Sequence, residues 1–289
     1  MKILVLGANG LLGTAIRQKV SAGKDRYIFS DITSPRGVDT LSLDIVNTDA
    51  VGLICASERV DLVVNCAAFT DLSGKGADTV LSSQVNAEAP ARLAALCKDR
   101  GMTLLHLSSD YVFGGRFPGP LREDHPVQPQ GVYGATKLQG EEAVLSSGCR
   151  ALVLRTSWLY APYGKNDMTL LLRQMAARPL LQLPYGRVGA PTCAGDVAAF
   201  IVGLITSRSL DRTGLFHYSA EGICSRYDFA CTLRDLSGSA CRIVPGRERE
   251  SDRNAPAFIL LDKTRVKESF GVEIPHWYDA LKKCFEESR

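Results

Sequence analysis

Tyr133 and Lys137 stand four residues apart in a segment that can do acid–base chemistry. The residues that follow, ending in Glu141, Glu142 and Ala143, predict a helix over residues 132–147, in which Tyr133 and Lys137 lie one turn apart on the same face. A free phenol has a pKa of about 10, and a nearby ammonium lowers it by stabilising the phenolate. Such a pair can exchange a proton with an alcohol or a carbonyl. Because a solvated helix surface can carry the same pair, the interpretation depends on the rest of the chain.

A glycine-rich turn near the N-terminus predicts a dinucleotide site. The apolar run 3–6 reads as a buried strand, Gly7-Ala8-Asn9-Gly10-Leu11-Leu12-Gly13 as a turn, and residues 14–20 as an amphipathic helix. In such a turn the first glycine permits the tight bend, the second lets the backbone approach a pyrophosphate, and the third lets the helix pack closely on the strand. The helix N-terminus then faces the negative charge.

The second predicted strand, residues 27–31, ends in Asp31, about twenty residues beyond the glycines. A carboxylate there accepts hydrogen bonds from an adenosine ribose, which favours NAD(H). Arg36 follows closely and can meet a 2′-phosphate, so NADP(H) stays open. Residues 43–45 read as a short third strand or its exit, and residues 60–68 as a strand that ends in the small Ala67 and Ala68, which would let a flat ring lie close.

The remaining strands and helices alternate. A helix over residues 86–100 precedes a strand over 103–107, which delivers Ser108, Ser109 and Asp110 at its carboxyl end, where doubly wound sheets bind ligands. Another strand covers 151–158. This order predicts an α/β fold with a Rossmann-type doubly wound parallel sheet.

Beyond residue 160 the pattern weakens. Helices are predicted over 167–177, 194–207 and 277–285, while residues 211–256 show weak periodicity. We therefore expect an NAD(P)-binding domain over 1–160, which also includes about 194–210, and a smaller, discontinuous substrate-binding region within 161–289.

The charge and the cysteine content of the chain indicate which kinds of partner and which location to expect. The net charge is +3 and basic residues alternate with acidic ones, so neither nucleic acid nor an anionic membrane is indicated. The nine cysteines have no C-x-x-C spacing and an odd total, which predicts neither a metal site nor a disulfide framework and indicates a reducing, cytoplasmic location. The apolar run after Lys2 is too short for a signal peptide or a membrane span.

Taken together, these segments resemble the extended short-chain dehydrogenase/reductase superfamily and, within it, the dTDP-4-dehydrorhamnose reductase family. The glycine turn has the G-x-x-G-x-x-G spacing of that superfamily. The segments that carry the resemblance are 7–13, 64–70, 85–87, 108–113, 133–137, 155–160 and 189–192. They cover most of the chain to about residue 200 in the family's order.

The resemblance implies a site for NADP or NAD and a nucleotide-sugar substrate. Ser109 would hydrogen-bond the substrate carbonyl, Tyr133 would protonate it, and Lys137 would lower the pKa of Tyr133 and hold the nicotinamide ribose. Asp110, Trp158 and Arg187 are the candidate substrate contacts, and a homodimer is expected. The candidate cofactor contacts are Gly7, Asn9, Gly10, Leu11, Leu12, Gly13, Asp31, Asp44, Ile45, Ala67, Ala68, Thr70, Tyr133 and Lys137.

The chain departs from the family on the substrate side. Ser73 and Gly76 stand where the family has an acidic pair, and Arg187 stands in place of a Gln. Ala255, before Pro256 and the later Leu261-Asp262, replaces an Arg, and Asp167 replaces an aromatic residue. These departures leave the sugar, the nucleotide and the retention of activity open.

Three other functions occur in proteins similar to this family. A dehydratase of this superfamily needs an Asp-Glu pair, but Asp110 is followed by Tyr111. A 4-keto epimerase-reductase needs a Cys/His pair, but His106 lies inside a strand, where a buried His is more often a core residue. A regulatory, nucleotide-binding protein like the β subunit of methionine adenosyltransferase, which is similar to this family, stays open.

Overall fold

The computed structural model of the chain describes residues 1–21, 23–70, 77–115, 119–247 and 256–288. The departures at Ser73, Gly76 and Ala255 lie outside these residues. The strands are β1 Lys2–Leu6, β2 Arg26–Asp31, β3 Leu41–Ser42, β4 Leu62–Asn65, β5 Thr103–Ser109, β6 Pro120–Leu121, β7 Arg150–Thr156, β8 Leu159–Tyr160, β9 Leu180–Pro184, β10 Val188–Gly189, β11 Thr192–Cys193, β12 Gly214–His217, β13 Cys224–Ser225, β14 Arg242–Gly246 and β15 Leu260–Leu261. The helices are α1 Leu11–Lys19, α2 Thr48–Glu58, α3 Ala77–Ser83, α4 Ala89–Asp99, α5 Val132–Ser146, α6 Asp167–Ala177, α7 Ala194–Ser207, α8 Arg226–Ser237, α9 Thr264–Phe270 and α10 Trp277–Glu286. A π-helical turn, Gln84–Glu88, precedes α4, and a 3-10 turn, Asp110–Val112, follows β5.

Seven parallel strands form the main sheet in the order β12-β7-β5-β4-β1-β2-β3. Alternate side chains of β1 point to opposite faces, as the period of a strand requires. Ile3 and Val5 join the core under α1 and α7, whereas Leu4 and Leu6 join the core under α2 and α4. The predicted α/β class with a doubly wound parallel sheet is confirmed.

The strand order indicates where in the sheet a ligand-binding site is expected. Chain order reverses between β1 and β4, and ligands bind at such a switch point beyond the carboxyl ends of the strands. Those ends carry Gly7 after β1, Asp31 in β2, Cys66 after β4 and Ser109 in β5. The predicted segments that follow these four strands therefore meet at one edge of the sheet.

A third apolar core lies beside this edge. It is built by α6, α8 and α10 around Tyr160 and Phe229, both fully buried. Their rings meet at 5.4 Å between centroids in an edge-to-face arrangement, a geometry that adds to the burial of their area. The segment after β7 passes directly from the main sheet into this smaller core.

Several elements differ from the sequence-based expectations. The predicted helices over 167–177 and 194–207 match α6 and α7, and α1 begins three residues earlier than expected, directly after Gly10. The strand expected over 60–68 spans only β4, and the weakly periodic region 211–256 contains α8 and also β12, which is the edge strand of the main sheet beside β7. A four-residue strand whose first residue is glycine is too short to show a period. The proposed domain boundaries stay a prediction.

Among the described residues, no helix is both long enough and apolar enough to cross a membrane. In the same part of the chain, no group of three or more His, Cys, Asp or Glu side chains is placed to hold a metal ion.

Candidate active site

The glycine turn is built by close backbone packing. Gly7 has a φ of +75°, and a Cβ on it would lie 2.6 Å from the backbone nitrogen of Ala67. A Cβ on Gly13 would lie 2.3 Å from the carbonyl oxygen of Gly7. At Gly10 the nearest atom to an added Cβ is that same oxygen at 3.4 Å. The fold therefore needs glycine at 7 and 13, whereas Gly10 faces open space at the start of α1.

A cavity of about 230 Å³ opens beside this turn. Seven of the predicted cofactor residues line it: Gly7, Gly10, Asp31, Asp44, Ile45, Ala67 and Ala68. Seven further residues that sequence reasoning did not propose complete the wall: Leu6, Ile32, Leu43, Cys66, Phe69, Leu81 and Val85. These residues come from five separate segments, and only folding brings them together. The other seven predicted cofactor residues do not line this cavity: Asn9, Leu11, Leu12, Gly13, Thr70, Tyr133 and Lys137. A larger cavity of about 410 Å³ lies between α7 and the segment after α9, and contains none of the predicted site residues.

Asp31 is held at the mouth of the turn. Its Oδ2 accepts the backbone N–H of Asn9 at 3.0 Å, and its Oδ1 accepts the backbone and hydroxyl donors of Thr33, each at 3.0 Å. The Asn9 side chain in turn donates to the carbonyl oxygen of Thr33 at 2.8 Å. Asn9 therefore helps to fix the carboxylate that lines the cavity.

The predicted helix over 132–147 is confirmed as α5, and it carries Tyr133 and Lys137 on one face. α5 approaches its neighbours closely because two of its positions are glycine. A Cβ on Gly134 would lie 2.3 Å from the carbonyl oxygen of Tyr111, and one on Gly140 would lie 2.1 Å from that of Asn86. This packing sets Tyr133 against the end of β5.

Ser109, Asp110 and Tyr133 form one hydrogen-bonded group. The Ser109 hydroxyl hydrogen-bonds the Tyr133 phenol and also donates to Oδ1 of Asp110 at 3.1 Å. The Tyr133 ring meets Tyr111 edge to face at 5.4 Å between centroids. Ser109 and Asp110 are only 7% and 6% exposed, so this group is shielded from bulk water.

Burial changes the acidity of the group. It raises the pKa of Tyr133 to about 12, an effect that nearby Asp110 reinforces and that the hydrogen bond with Ser109 opposes. It also raises the pKa of Asp110 to about 6, against the hydrogen bonds from Ser157 and Ser109. At neutral pH the phenol is therefore protonated and able to donate a proton.

Lys137 hydrogen-bonds to the backbone of β5. Its Nζ donates to the backbone carbonyl oxygen of Leu107 at 2.5 Å, and burial lowers the pKa of Lys137 to about 8, while Glu141 raises it. Burial dominates at Tyr133 and raises the pKa of that phenol, and the role of Lys137 in lowering it stays a prediction. The sequence could place the two side chains on one face but could not reveal how deeply they are buried.

Of the predicted substrate contacts, Trp158 packs against the smaller core around Tyr160 and Phe229. It follows Ser157 and has a φ of +35°, a backbone conformation that costs energy in a residue with a Cβ. Its indole N–H donates to Oδ2 of Asp167 at 2.8 Å, and its ring lies 5.2 Å from that of Phe229 between centroids. Arg187 is half-buried directly before β10.

His106 belongs to the core. It is fully buried inside β5, and its Nδ1 lies 3.1 Å from Nδ2 of Asn65. Burial lowers its pKa well below the usual range. It therefore stays neutral and is not positioned as the exposed acid–base partner that an epimerase-reductase needs.

Comparison with known proteins places this geometry in a family. The family model described as "RmlD substrate binding domain" matches residues 1–289. The dTDP-4-dehydrorhamnose reductase of Burkholderia thailandensis is 32% identical over 300 residues, with 98% of each chain covered. The crystal structure of a dTDP-4-dehydrorhamnose reductase from Clostridium acetobutylicum superposes with a TM-score of 0.90 at 31% identity, covering 99% of both chains. That of the Bacillus anthracis enzyme in complex with NADP superposes with a TM-score of 0.89 at 25% identity, covering 100% of this chain and 99% of the other.

Proposed function

The chain belongs to the RmlD substrate binding domain family, and we propose that it is an NAD(P)H-dependent reductase of a nucleotide-activated 4-keto-6-deoxy sugar of the dTDP-4-dehydrorhamnose type. One observation carries this proposal: a protonated tyrosine and a serine hydroxyl are hydrogen-bonded to each other at the sheet edge that also holds the dinucleotide cavity. Two positioned O–H donors beside a hydride source are what the reduction of a carbonyl requires.

The residues fit a dinucleotide. Gly10 leaves room for a pyrophosphate at the N-terminus of α1, and Asp31 presents a fixed carboxylate at the cavity wall for a ribose. Lys137 holds a buried ammonium within reach of the end of β5, where it can donate to a ribose hydroxyl after leaving the carbonyl oxygen of Leu107. When bound, the reduced nicotinamide supplies the hydride.

The protein's own residues handle the oxygen of the sugar ketone. The Ser109 hydroxyl turns from Oδ1 of Asp110, to which it donates in the ligand-free protein, and donates a hydrogen bond to the ketone oxygen, which polarises the carbonyl. Tyr133 transfers its phenolic proton to the oxygen as negative charge develops there. With a pKa of about 12, Tyr133 is a much weaker acid than a carboxylic acid. It therefore donates its proton only when the ketone oxygen becomes strongly basic, as an alkoxide is.

Asp110 and Trp158 complete the substrate side of the proposal. Asp110 orients Ser109, and Trp158 offers a flat apolar surface to the sugar ring next to it. Arg187 is proposed to contact the diphosphate, since guanidinium groups bind phosphate oxygens with charge-assisted hydrogen bonds. The geometry favours the enzyme over the non-enzymatic alternative, because Ser109, Tyr133 and Lys137 lie together at the end of β5.

An assay of sugar-nucleotide reduction tests the proposed function. The purified chain is given NADPH or NADH and dTDP-4-dehydrorhamnose, and loss of the reduced-nicotinamide absorbance is followed. We expect substrate-dependent oxidation with at least one coenzyme. Cofactor binding with no oxidation in the presence of this sugar nucleotide would instead support the regulatory alternative.

A homodimer and a cytoplasmic location stay predictions. Sedimentation velocity of the purified chain at several concentrations tests the first, and fractionation of the source cells tests the second.

A further inference from the structure

Asp167, the residue that replaces an aromatic side chain, is the centre of a polar cluster where α6 and α8 begin. Its Oδ2 accepts the indole N–H of Trp158 at 2.8 Å, and its Oδ1 accepts from Nη2 of Arg226 at 2.5 Å. The carboxylate therefore fixes an indole and a guanidinium relative to each other. We call Trp158, Asp167 and Arg226 the Asp167 cluster.

The elements that carry the cluster are themselves well ordered by hydrogen bonds. Asp167 is the first residue of α6, whose N-terminus is capped by Asn166. Arg226 is the first residue of α8, where Ser225 and Asp228 form a reciprocal capping box. Because these caps already satisfy the backbone donors at both helix ends, the side chains of Asp167 and Arg226 are free to serve each other and a ligand.

The guanidinium of Arg226 has donors to spare. A guanidinium carries five N–H groups, and one nitrogen of Arg226, Nη2, is committed to Asp167. Its Nε is buried and has no hydrogen-bond partner within the described residues. A buried donor without a partner is costly, so an acceptor from outside the chain would relieve a penalty that the ligand-free protein bears.

A second arginine lies at the same end of the β10–β13 pair. β10 pairs with β13 in antiparallel register, with Val188 opposite Ser225. Arg187 directly precedes β10 and Arg226 directly follows β13. Guanidinium groups at this end favour an anionic ligand, because they bind phosphate oxygens with charge-assisted hydrogen bonds.

The cluster adjoins the catalytic group and is open to solvent. Trp158 directly follows Ser157, whose hydroxyl donates to Asp110, the neighbour of Ser109. The side chains of Arg226 and Asp167 are 19% and 24% exposed, which leaves both accessible to a ligand. The Trp158 segment thus links an anion site at Arg226 to the catalytic group.

We propose that Arg226 is a substrate-binding residue that contacts the diphosphate of the nucleotide sugar, and that Asp167 is the positioning residue that holds Arg226 and Trp158 for it. This inference rests on the proposed function and adds to it the side chain that recognises the anionic part of the substrate. The diphosphate then lies against the guanidinium while the sugar ring lies against the indole.

The test measures binding rather than turnover. Isothermal titration of the full chain with dTDP, with thymidine and with NADPH is compared for the parent, Arg226→Gln and Arg173→Gln. Arg173 is an exposed arginine of α6, so its variant removes the same charge from the helix that begins at Asp167. We expect Arg226→Gln to weaken dTDP binding by at least about tenfold, since a hydrogen bond to a charged group is lost, with thymidine and NADPH affinities within about twofold of the parent. Arg173→Gln should match the parent for all three ligands.

Two further variants guard the conclusion. Arg226→Lys keeps the positive charge but loses the planar guanidinium, and should weaken dTDP binding severalfold. If Arg226→Gln does not fold, this variant tests the role of Arg226. Asp167→Asn keeps an acceptor for the Trp158 indole but loses the attraction to Arg226. It should raise the KM for the sugar nucleotide severalfold and leave kcat within about twofold.

The outcomes separate the two proposals. Equal dTDP affinity in the parent and in a folded Arg226 variant overturns the role of Arg226 and leaves the reductase standing. Equal weakening of thymidine and dTDP also overturns it, because the loss would then not concern the phosphates. A parent chain that binds NADPH but not dTDP overturns the proposed substrate class and this inference with it.

Discussion

The hydroxyl of Ser157 donates a hydrogen bond to Oδ2 of Asp110 at 2.7 Å. This bond joins the segment after β7 to the end of β5, and Oδ1 of the same carboxylate accepts from Ser109 at 3.1 Å. Asp110 therefore orients Ser109, which hydrogen-bonds Tyr133. Asp110 is itself oriented by Ser157, the residue before Trp158. A buried carboxyl with two such partners links the catalytic group to the substrate side.

The first prediction concerns the charge of Asp110. Burial raises its pKa to about 6 from the usual 3.8, so the folded state holds the proton more tightly than the unfolded state. The stability that this group contributes is full below about pH 4 and is lost as the pH rises through about 6. The Asp110→Asn variant lacks this titration. The parent's free energy of unfolding, minus that of the variant, should therefore fall by up to about 3 kcal/mol between pH 4 and pH 7.

Chemical denaturation of the ligand-free proteins at several pH values measures this difference. Other titrating groups cancel when the two proteins are compared at each pH. A difference that stays constant from pH 4 to pH 7 would show that Asp110 has an ordinary acidity in the folded protein.

The second prediction separates two glycines of the dinucleotide turn. Gly10→Ala adds a methyl group whose nearest neighbour is 3.4 Å away, so the variant should fold with a thermal midpoint near that of the parent. The added methyl group would occupy the space of the pyrophosphate, and NADPH affinity should fall by at least about tenfold. Gly13→Ala places a Cβ 2.3 Å from the carbonyl oxygen of Gly7, and should destabilise the protein itself.

Thermal unfolding with and without NADPH distinguishes these effects. We expect Gly10→Ala to keep the ligand-free midpoint and to lose the shift on adding NADPH, and Gly13→Ala to lower the midpoint without ligand. A Gly10→Ala protein that is stabilised by NADPH as strongly as the parent would argue against a pyrophosphate at this turn.

The third prediction concerns Lys137, which is only 2% exposed. Burial lowers its pKa to about 8 from 10.5, so the charged form is less stable in the folded protein than in the unfolded chain. The stability linked to this group is present above about pH 10.5 and is lost as the pH falls through about 8. Lys137→Met should therefore leave the free energy of unfolding of the ligand-free protein at pH 7 unchanged or higher, while weakening NADPH binding by at least about tenfold.

Fluorescence titration with NADPH and denaturation at pH 7 provide the two readouts, and Lys98→Met on α4 is a matched control. A large loss of stability together with unchanged NADPH affinity would make Lys137 a purely structural residue.

Much of the sheet and of its functional edge could be predicted from the sequence, because local patterns determine them. The apolar run before Gly7, the helix over 132–147 and the i, i+4 spacing of Tyr133 and Lys137 are visible in short segments. β12 was not predicted, since its place in the sheet comes from pairing with β7 and not from its own four residues.

The electrostatics of the site and the Asp167 cluster could not be predicted in this way. The high pKa of Tyr133 follows from its burial against β5 and the 3-10 turn, which α5 reaches only when the chain folds. Asp167 and Arg226 are 59 residues apart, and only folding makes them an ion pair. Asp167 was visible in the sequence as a departure from the family, but nothing in the sequence indicated Arg226 as its partner.

The last prediction tests the central claim, that this chain reduces a sugar ketone with Tyr133 as the proton donor. A single turnover of dTDP-4-dehydrorhamnose is followed with NADPH deuterated at the transferred position, in the parent and in Tyr133→Phe. We predict a product that carries one deuterium at the former carbonyl carbon. The rate in Tyr133→Phe should be lower by about 10²- to 10⁴-fold, although that variant binds NADPH as the parent does, because only the proton donor is removed. Product formed by Tyr133→Phe at the parent's rate, or a parent product without deuterium at that carbon, would contradict the account.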